Sequence, residues 1–309
     1  MKIFIRGGIR GAVSRLIPIW EKLGHSVTKD VNEGDVQLAI IKMKGVVKFP
    51  TILRLDGIYY DKGDDYKGRN ASISKAHSKA DGIIYQSNLS KMMCEKYLTK
   101  RKTDICDVIY NGIDGLKWHN FKEHADINIV CCAKWRRPKR LPETIEIFKM
   151  FLKKCSKAKL HVIGQFLKGA KKIDHPNVVY YGKIDYKKMK KIYSISDIYI
   201  HLCKKDSCPS TVLEAIAAGV PVITTNACGG ATEMCKLTDG CIIINGESES
   251  LGPDYIYKNE YNKMPKEVQN SIVEAMVGAV KDVRRVILPA ELSAEYVARK
   301  YIKIMEKVL

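Results

Sequence analysis

The sequence predicts an α/β protein in which strands alternate with helices, with room for two such domains. Three observations carry this expectation. Short β-branched runs, such as residues 197–202 and 220–224, alternate with helical stretches along the chain. The 309 residues can bury one large core or two ordinary ones, and 46% hydrophobic with 28% charged residues is a globular composition. No run approaches the roughly 18 apolar residues that a membrane-spanning helix needs.

In order, residues 1–6 read as a first strand, Gly7-Gly8 as a turn, and a helix follows to about Leu23. Val13, Leu16, Ile17, Trp20 and Leu23 share one helical face, and Pro18 within it predicts a kink. Strands are expected from Ser26, over 36–41 and over 51–55, the last ending at Asp56-Gly57. Residues 59–70 are polar, aromatic and Gly-containing, the pattern of an exposed functional loop. A helix over 71–80, a strand over 82–86, a helix capped by Ser87-Asn88 and a strand over 106–110 complete a first domain. Residues 115–126 read as a linker, and 127–133 opens a second α/β domain. Its later elements are a helix from Pro142, strands over 160–164 and 178–181, a basic helix over 186–194, and a helical stretch over 264–287. A terminal helix spans 294–309. The expected boundaries are 1–114, then 115–126, then 127–288, followed by the terminal helix.

The most informative stretch is 197–233. After the strand over 197–202 the chain turns at Ser207 to Pro209, a helix runs over 210–218, and Gly219 ends it. Backbone N–H groups of Ser210, Thr211 and Val212 face out of the helix start, where the dipole favours an anion such as phosphate. Asp206 and Glu214 carry negative charge beside that point, which suits hydroxyl groups better than phosphate. Phosphate plus hydroxyls describes a sugar nucleotide. A βαβ unit with two solvated carboxylates is the plain alternative.

These residues also resemble the signature of family 4 of the GT-B glycosyltransferases, a Glu-Gly-Phe-Gly followed, after a gap of seven residues from its first Glu, by Glu-Ala-Met-Ala-x-Gly-x-Pro-Val. Here Glu214 to Val222 matches closely, and Gly229 to Glu233 matches the Gly-Gly-x-x-Glu that follows. Asp206 replaces the first Glu at the same spacing, and Ser207-Cys208-Pro209 replaces Gly-Phe-Gly. Lys134 to Leu141 resembles the family's Gly-Arg-x-x-x-x-Lys-Gly, in which Arg and Lys clamp a diphosphate. Lys134 and Lys139 keep that spacing, and Arg136 competes for the first role because guanidinium holds phosphate bidentately. Asn111 to Asp114 resembles the Pro-Asn-Gly-Val-Asp that closes the family's first domain.

The resemblance implies a GT-B fold: two Rossmann-like doubly wound domains facing a cleft, with the last helix, 294–309, crossing back to complete the first, 1–114. It implies a retaining glycosyltransferase that moves a sugar from a nucleotide-diphosphate sugar to a hydroxyl of a glycan or lipid-linked acceptor. Asp206 would hold the sugar and Glu214 the ribose hydroxyls. Lys139, with Lys134 or Arg136, would hold the diphosphate, with Ser210, Thr211 and Val212 at the helix start. Gly7 and Gly8 would lie beside the donor. Asp56 stands where many members place a residue facing the acceptor; it reads equally as an Asp capping the turn before Gly57. No Asp-x-Asp occurs, so neither a catalytic metal nor a cofactor beyond the donor substrate is expected.

The formal charge is +19, and residues 134–172 hold thirteen Lys or Arg against two Asp or Glu. An anionic partner follows: nucleotide diphosphate, acidic lipid or nucleic acid. Lys149, Lys153 and Lys157, at helical spacing, also read as a solvated face. No nucleic-acid module is recognised, so nucleic acid is not expected, whereas peripheral contact with an anionic membrane is compatible with the charge. Ten cysteines without a Cys-x-x-Cys pair read as free thiols in a cytoplasmic protein. The alternatives are a nucleic-acid or anionic-surface binding protein, and a GT-B member that does not transfer: a phosphorylase, an epimerase or an inactive form. A dinucleotide oxidoreductase ranks low, because Gly7 to Gly11 lacks Gly-x-Gly-x-x-Gly.

Overall fold

A computed structural model of the chain describes residues 1–6, 11–43, 45, 48–60, 65–118, 121–167, 170–247, 263–282 and 284–309. They divide into two compact units, one made of Met1–Asp114 with Ala290–Leu309, the other of the described residues between 115 and 289. The first holds β1 (Lys2–Phe4), α1 (Ile17–Lys22), β2 (Ser26–Thr28), β3 (Val36–Ile40), β4 (Thr51–Leu55), α2 (Tyr66–His77), β5 (Gly82–Tyr85), α3 (Asn88–Tyr97) and β6 (Cys106–Val108). The second holds β7 (Asn128–Cys132), α4 (Leu141–Leu152), β8 (Lys159–Ile163), β9 (Val178–Gly182), α5 (Tyr186–Tyr193), β10 (Ile198–His201), α6 (Ser210–Ala217), β11 (Val222–Thr225), α7 (Gly230–Leu237), β12 (Ile242–Ile244) and α8 (Lys266–Lys281). Helix α9 (Ala294–Glu306) returns to the first unit.

In the first unit six strands pair in parallel in the order β2-β1-β3-β4-β5-β6. Strands covered on both faces need continuous apolar runs, and β4 and β5 are buried along their whole length. Pro18 begins α1 rather than kinking it. A first-turn N–H has no intrahelical acceptor to lose, so proline costs nothing there. The exposed loop expected over 59–70 is also corrected. Asp65 caps α2 by accepting from the Gly68 N–H at 3.0 Å, so the helix starts at Tyr66. Asn70 is buried, with its amide bracketing Tyr59 through bonds of 2.9 and 2.7 Å.

The C-terminal helix completes this unit by polar as well as apolar contacts. Trp20 Nε1 donates to Ala298 O at 3.1 Å. The buried Arg54 of β4 donates from Nε to Tyr301 Oη at 2.9 Å and from Nη2 to Asn111 Oδ1 at 2.7 Å. Gly112 lies so close to the start of α9 that a Cβ there would stand 2.8 Å from the Ala294 Cα. The Asn-Gly of Asn111-Gly112 thus has two local reasons: an acceptor for Arg54 and room for α9.

The second unit is also a six-stranded parallel sheet, in the order β12-β11-β10-β7-β8-β9. Its core joins β7, β8 and β10 to α4 and α8 through Ile129, Val162, Ile200, Phe148, Ile272 and Met276. Truncating one such aromatic, Phe148, to alanine would cost about 3–5 kcal/mol. Described residues of 115–126 lie along α5: Trp118 packs against Tyr186 and Tyr193, and the Lys122 N–H donates to Ser194 O at 2.8 Å.

Candidate active site

In the second unit the strand order reverses between β7 and β10, which sets their carboxyl ends, Cys132 and His201, on neighbouring strands. In open parallel sheets such a switch point leaves a crevice where ligands bind. A cavity of about 10 Å³ lies there, lined by Cys132, Ala133, Lys139, His201 and Cys203 among others. It is large enough for about one water molecule.

The loop after β7 carries the basic residues. Trp135 is turned inward: its backbone N–H donates to Gln165 O at 2.8 Å and its Nε1 to Ile163 O at 2.9 Å. Opposite it, Gly164 adopts φ 119°, and a Cβ there would stand 1.8 Å from Ala133 O, so the two loops approach only through glycine. With Trp135 buried, its neighbours Lys134 and Arg136 face solvent. A short turn at Arg137–Lys139 then brings Lys139 back inside.

The Lys139 ammonium donates to the Asp206 carboxylate, the two side chains being 15% and 18% exposed. His201 Nε2 lies 3.5 Å from the same oxygen, buried and without a hydrogen bond among the described residues. The donor atoms of His201, Cys203 and Asp206 all lie within 4.8 Å of one another. Burial works to raise the Asp206 carboxyl, but Lys139 and then His201 hold it well below the usual range. Burial works to lower Lys139, but Cys203 and Asp206 hold it above its ordinary value. Burial lowers His201 despite Asp206, and pushes the Cys203 thiol up to about 12. At neutral pH the cluster is therefore carboxylate, ammonium, neutral imidazole and thiol. Such a donor set can surround a cation, and the Lys139 ammonium is a cation already paired within it.

Arg140, one residue on, is in the left-handed region at φ 52°. The family pattern places glycine there. A non-glycine in this conformation costs on the order of 1–2 kcal/mol. Its Nη1 lies 2.7 Å from Glu247 Oε1, with both side chains 2% exposed. Glu247 also accepts from Thr225 Oγ1 at 2.6 Å, while Asn226 Nδ2 donates to its backbone carbonyl at 3.1 Å. Lys204 Nζ stands 3.9 Å from Glu247 Oε1. The loop is thus tied to the end of β11 by a buried ion pair.

The loop from β10 to α6 presses against Gly229-Gly230. The Asp206 N–H donates to Cys228 O at 3.2 Å, and the Gly230 N–H donates to Asp206 O at 2.7 Å. A Cβ on Gly230 would stand 1.8 Å from Ser207 O. The glycine pair therefore fixes the backbone of Asp206. Helix α6 begins after Pro209 without a side-chain cap. The three outward N–H groups expected at its start reduce to those of Ser210 and Thr211, because the Val212 N–H donates to Pro209 O at 3.1 Å. Glu214 is buried on α6; with burial as the larger cause, its charge helps keep Cys132, Tyr193 and Tyr199 un-ionised.

Lys139 and Asp206 are thus brought into direct contact, and the residues that form the start of α6 follow Asp206 by one short loop. Lys134 and Arg136 stand exposed. Asp56 is exposed at the end of β4 in the first unit. Gly7 and Gly8 lie outside the described residues. Sequence reasoning missed His201, Cys203, Arg140 and Glu247. His201 ends the apolar strand five residues before Asp206, and Arg140 departs from the family's glycine, so both left a signal. Glu247 left none.

Residues 115–269, about half of the chain, match the family model described as Glycosyl transferases group 1. Among solved structures, HepE of Anabaena, in complex with UDP and glucose, is similar with a TM-score of 0.64 at 12% identity, over 99% of this chain and 100% of its own. A glycosyltransferase from Rickettsia africae gives 0.62 at 15% identity, over 99% and 98%. AviGT4, a glycosyltransferase involved in avilamycin A biosynthesis, gives 0.59 at 13%, over 99% and 97%. At these identities the likeness is one of fold. A search of curated protein sequences returned no match. No helix among the described residues is long and apolar enough to cross a membrane. The family match, together with two doubly wound parallel sheets and a last helix that returns to the first, makes the chain a nucleotide-sugar glycosyltransferase of the glycosyl transferases group 1 family, with the GT-B fold.

Proposed function

We propose that the protein is a retaining, metal-independent transferase that moves a sugar from a nucleotide-diphosphate sugar to a hydroxyl of a glycan or lipid-linked acceptor. The observation that carries this is the Lys139–Asp206 ion pair at the switch point of the second unit. The first unit takes the acceptor, with Asp56 on its side, and the second binds the donor. Residues 115–126 link them.

Breaking the bond between sugar and diphosphate builds negative charge on the leaving oxygen. A preorganised ammonium and the start of a helix stabilise that charge without reorganising. Lys139 and the Ser210 and Thr211 N–H groups fill these roles, and Lys134 or Arg136 reaches the diphosphate from solvent. Val212 supports the same turn through its bond to Pro209. Asp206, held ionised by Lys139, accepts from sugar hydroxyls and fixes the sugar's angle. Glu214 is assigned to the ribose hydroxyls. Metal independence rests on Lys139, whose positive charge occupies the place a divalent ion would take beside Asp206.

The test is a donor screen by thermal shift with UDP-, GDP- and ADP-sugars, then mass and anomeric configuration of the product. UDP-glucose comes first, because HepE was solved with it. Transfer with retained configuration in excess EDTA is the expected result. Loss of transfer in EDTA, restored by a divalent ion, would remove the metal-independent reading. A melting point unmoved by every sugar nucleotide would remove the donor assignment.

A further inference from the structure

A second surface of the same unit combines charge with large apolar side chains in a way that donor binding does not use. Helix α5 buries Met189, Ile192 and Tyr193 and turns Tyr186, Lys187, Lys188 and Lys191 outward. The segment after residue 115 runs beside it. Trp118 packs edge-on to Tyr186, and Lys190 Nζ stands 5.4 Å above the Trp118 ring. At one end of this face Leu116 and Ile287 are 94% and 85% exposed, and Tyr186 is 56% exposed. Their chain neighbours lie close to each other: a Cβ on Gly115 would stand 3.0 Å from Leu288 Cδ2. At the other end the Arg285 guanidinium lies 3.5 Å from the Phe121 ring centre, and its Nη1 donates to Ser196 O at 2.7 Å. Residues 115–124 and 183–191 carry seven lysines against Glu123 and Asp185. Asp185 is already engaged, accepting from the Lys188 N–H at 2.7 Å.

We infer that this face docks on an anionic lipid bilayer, with the lysines of α5 over the headgroups and Leu116, Ile287 and Tyr186 entering the interface. Lysines near an anionic surface draw a protein to it, and exposed aliphatic and aromatic side chains beside them give the hold that salt does not remove. A nucleic-acid surface accounts for the lysines and leaves Leu116 and Ile287 without a use. Docking here keeps the enzyme at a surface where a lipid-linked hydroxyl is presented, and does not depend on which residues bind the donor.

The test is co-sedimentation of the full chain with vesicles of phosphatidylcholine alone and with about one third phosphatidylglycerol, with no sugar nucleotide present. Binding to the anionic vesicles should exceed binding to the neutral ones at least ~10-fold. Lys187→Glu with Lys191→Glu should remove most of that difference, since each lysine near the surface is worth a factor of about five. Leu116→Asp with Ile287→Asp should abolish the part of the binding that survives 0.5 M salt, and both variants should keep the wild-type melting point. Equal binding to both vesicles, or variants that bind as wild type does, would overturn the inference. So would tight binding to duplex DNA with no vesicle binding. Each outcome is read without a donor, so it leaves the assignment of Lys139 and Asp206 untouched.

Discussion

Lys139 and Arg140 are adjacent in sequence and meet opposite fates. Each pairs with a carboxylate, but Lys139 and Asp206 keep 15% and 18% of their side-chain surface, whereas Arg140 and Glu247 keep 2% each. The first pair keeps surface that a ligand can meet, and the second is tied into the protein through Thr225 and Asn226. The difference separates a working group from the group that positions it. Lys139 sits at the ends of β7 and β10, where the chain's reversal opens a crevice. Arg140 holds the left-handed turn that aims Lys139 there, and Glu247 anchors that turn to the end of β11.

The comparison breaks most readily at Glu247. Glu247→Ala leaves the Arg140 guanidinium buried beside Lys204, and removing one partner of a buried ion pair costs about 3–5 kcal/mol. Denaturant unfolding should show that loss. Arg140→Gly suits the φ of 52° but leaves Glu247 in place, so a smaller loss is expected. Arg140→Gly combined with Glu247→Ala should recover most of it, because both charges go together. A double variant no better than the sum of its parts would mean the pair is not coupled and the turn stands without it.

Effects at the accessible pair should fall on binding and rate rather than on folding. Lys139→Ala should weaken binding of the nucleoside diphosphate by about 1.5–3 kcal/mol, the scale of a charge-assisted contact. Unchanged affinity by calorimetry would remove it from the site. Asp206→Asn should lower transfer more than diphosphate binding, since it is assigned to the sugar. Equal losses would move it to the nucleotide.

Much of this contrast was legible in the sequence. The βαβ over 197–224 and the spacing of Asp206 and Glu214 follow from β-branched runs, a helix stop at Gly219 and a family pattern. Strand order did not follow, because parallel pairing is set by crossovers between distant segments. The resemblance set Lys139 and Asp206 around one donor, but it did not say that their side chains, on different loops, would touch. Glu247 was hidden for another reason: burial of a carboxylate depends on a partner far along the chain, here Arg140. Pro18 and Asp65 show the local version of the same limit. Whether a proline kinks or begins a helix, and whether an acid caps one, turns on a boundary that hydrophobic period places only to within a few residues.

The smallest expected effect concerns a third cation of the same region. Lys205 is buried at φ 56°, and burial followed by the neighbouring Lys204 lowers its ammonium from 10.5 to about 8. The sign follows from proton counts. Between pH 8 and 10.5 the unfolded chain holds this proton and the folded chain does not, so folded stability rises with pH across that window. Below pH 8 both states are protonated, and the folded chain carries the cost that burial and Lys204 place on the charge. Lys205→Met removes that cost, and should stabilise the protein at pH 7 by roughly 1–3 kcal/mol, since each tenfold loss of proton affinity is worth about 1.4 kcal/mol before relaxation and solvent screening reduce it. The gain should shrink as pH rises through 8 and vanish near 10.5. Thermal melts of the two proteins across that range decide it. A gain of equal size at pH 7 and pH 10.5 would come from packing, and Lys205 would then be a cation that its site tolerates without strain.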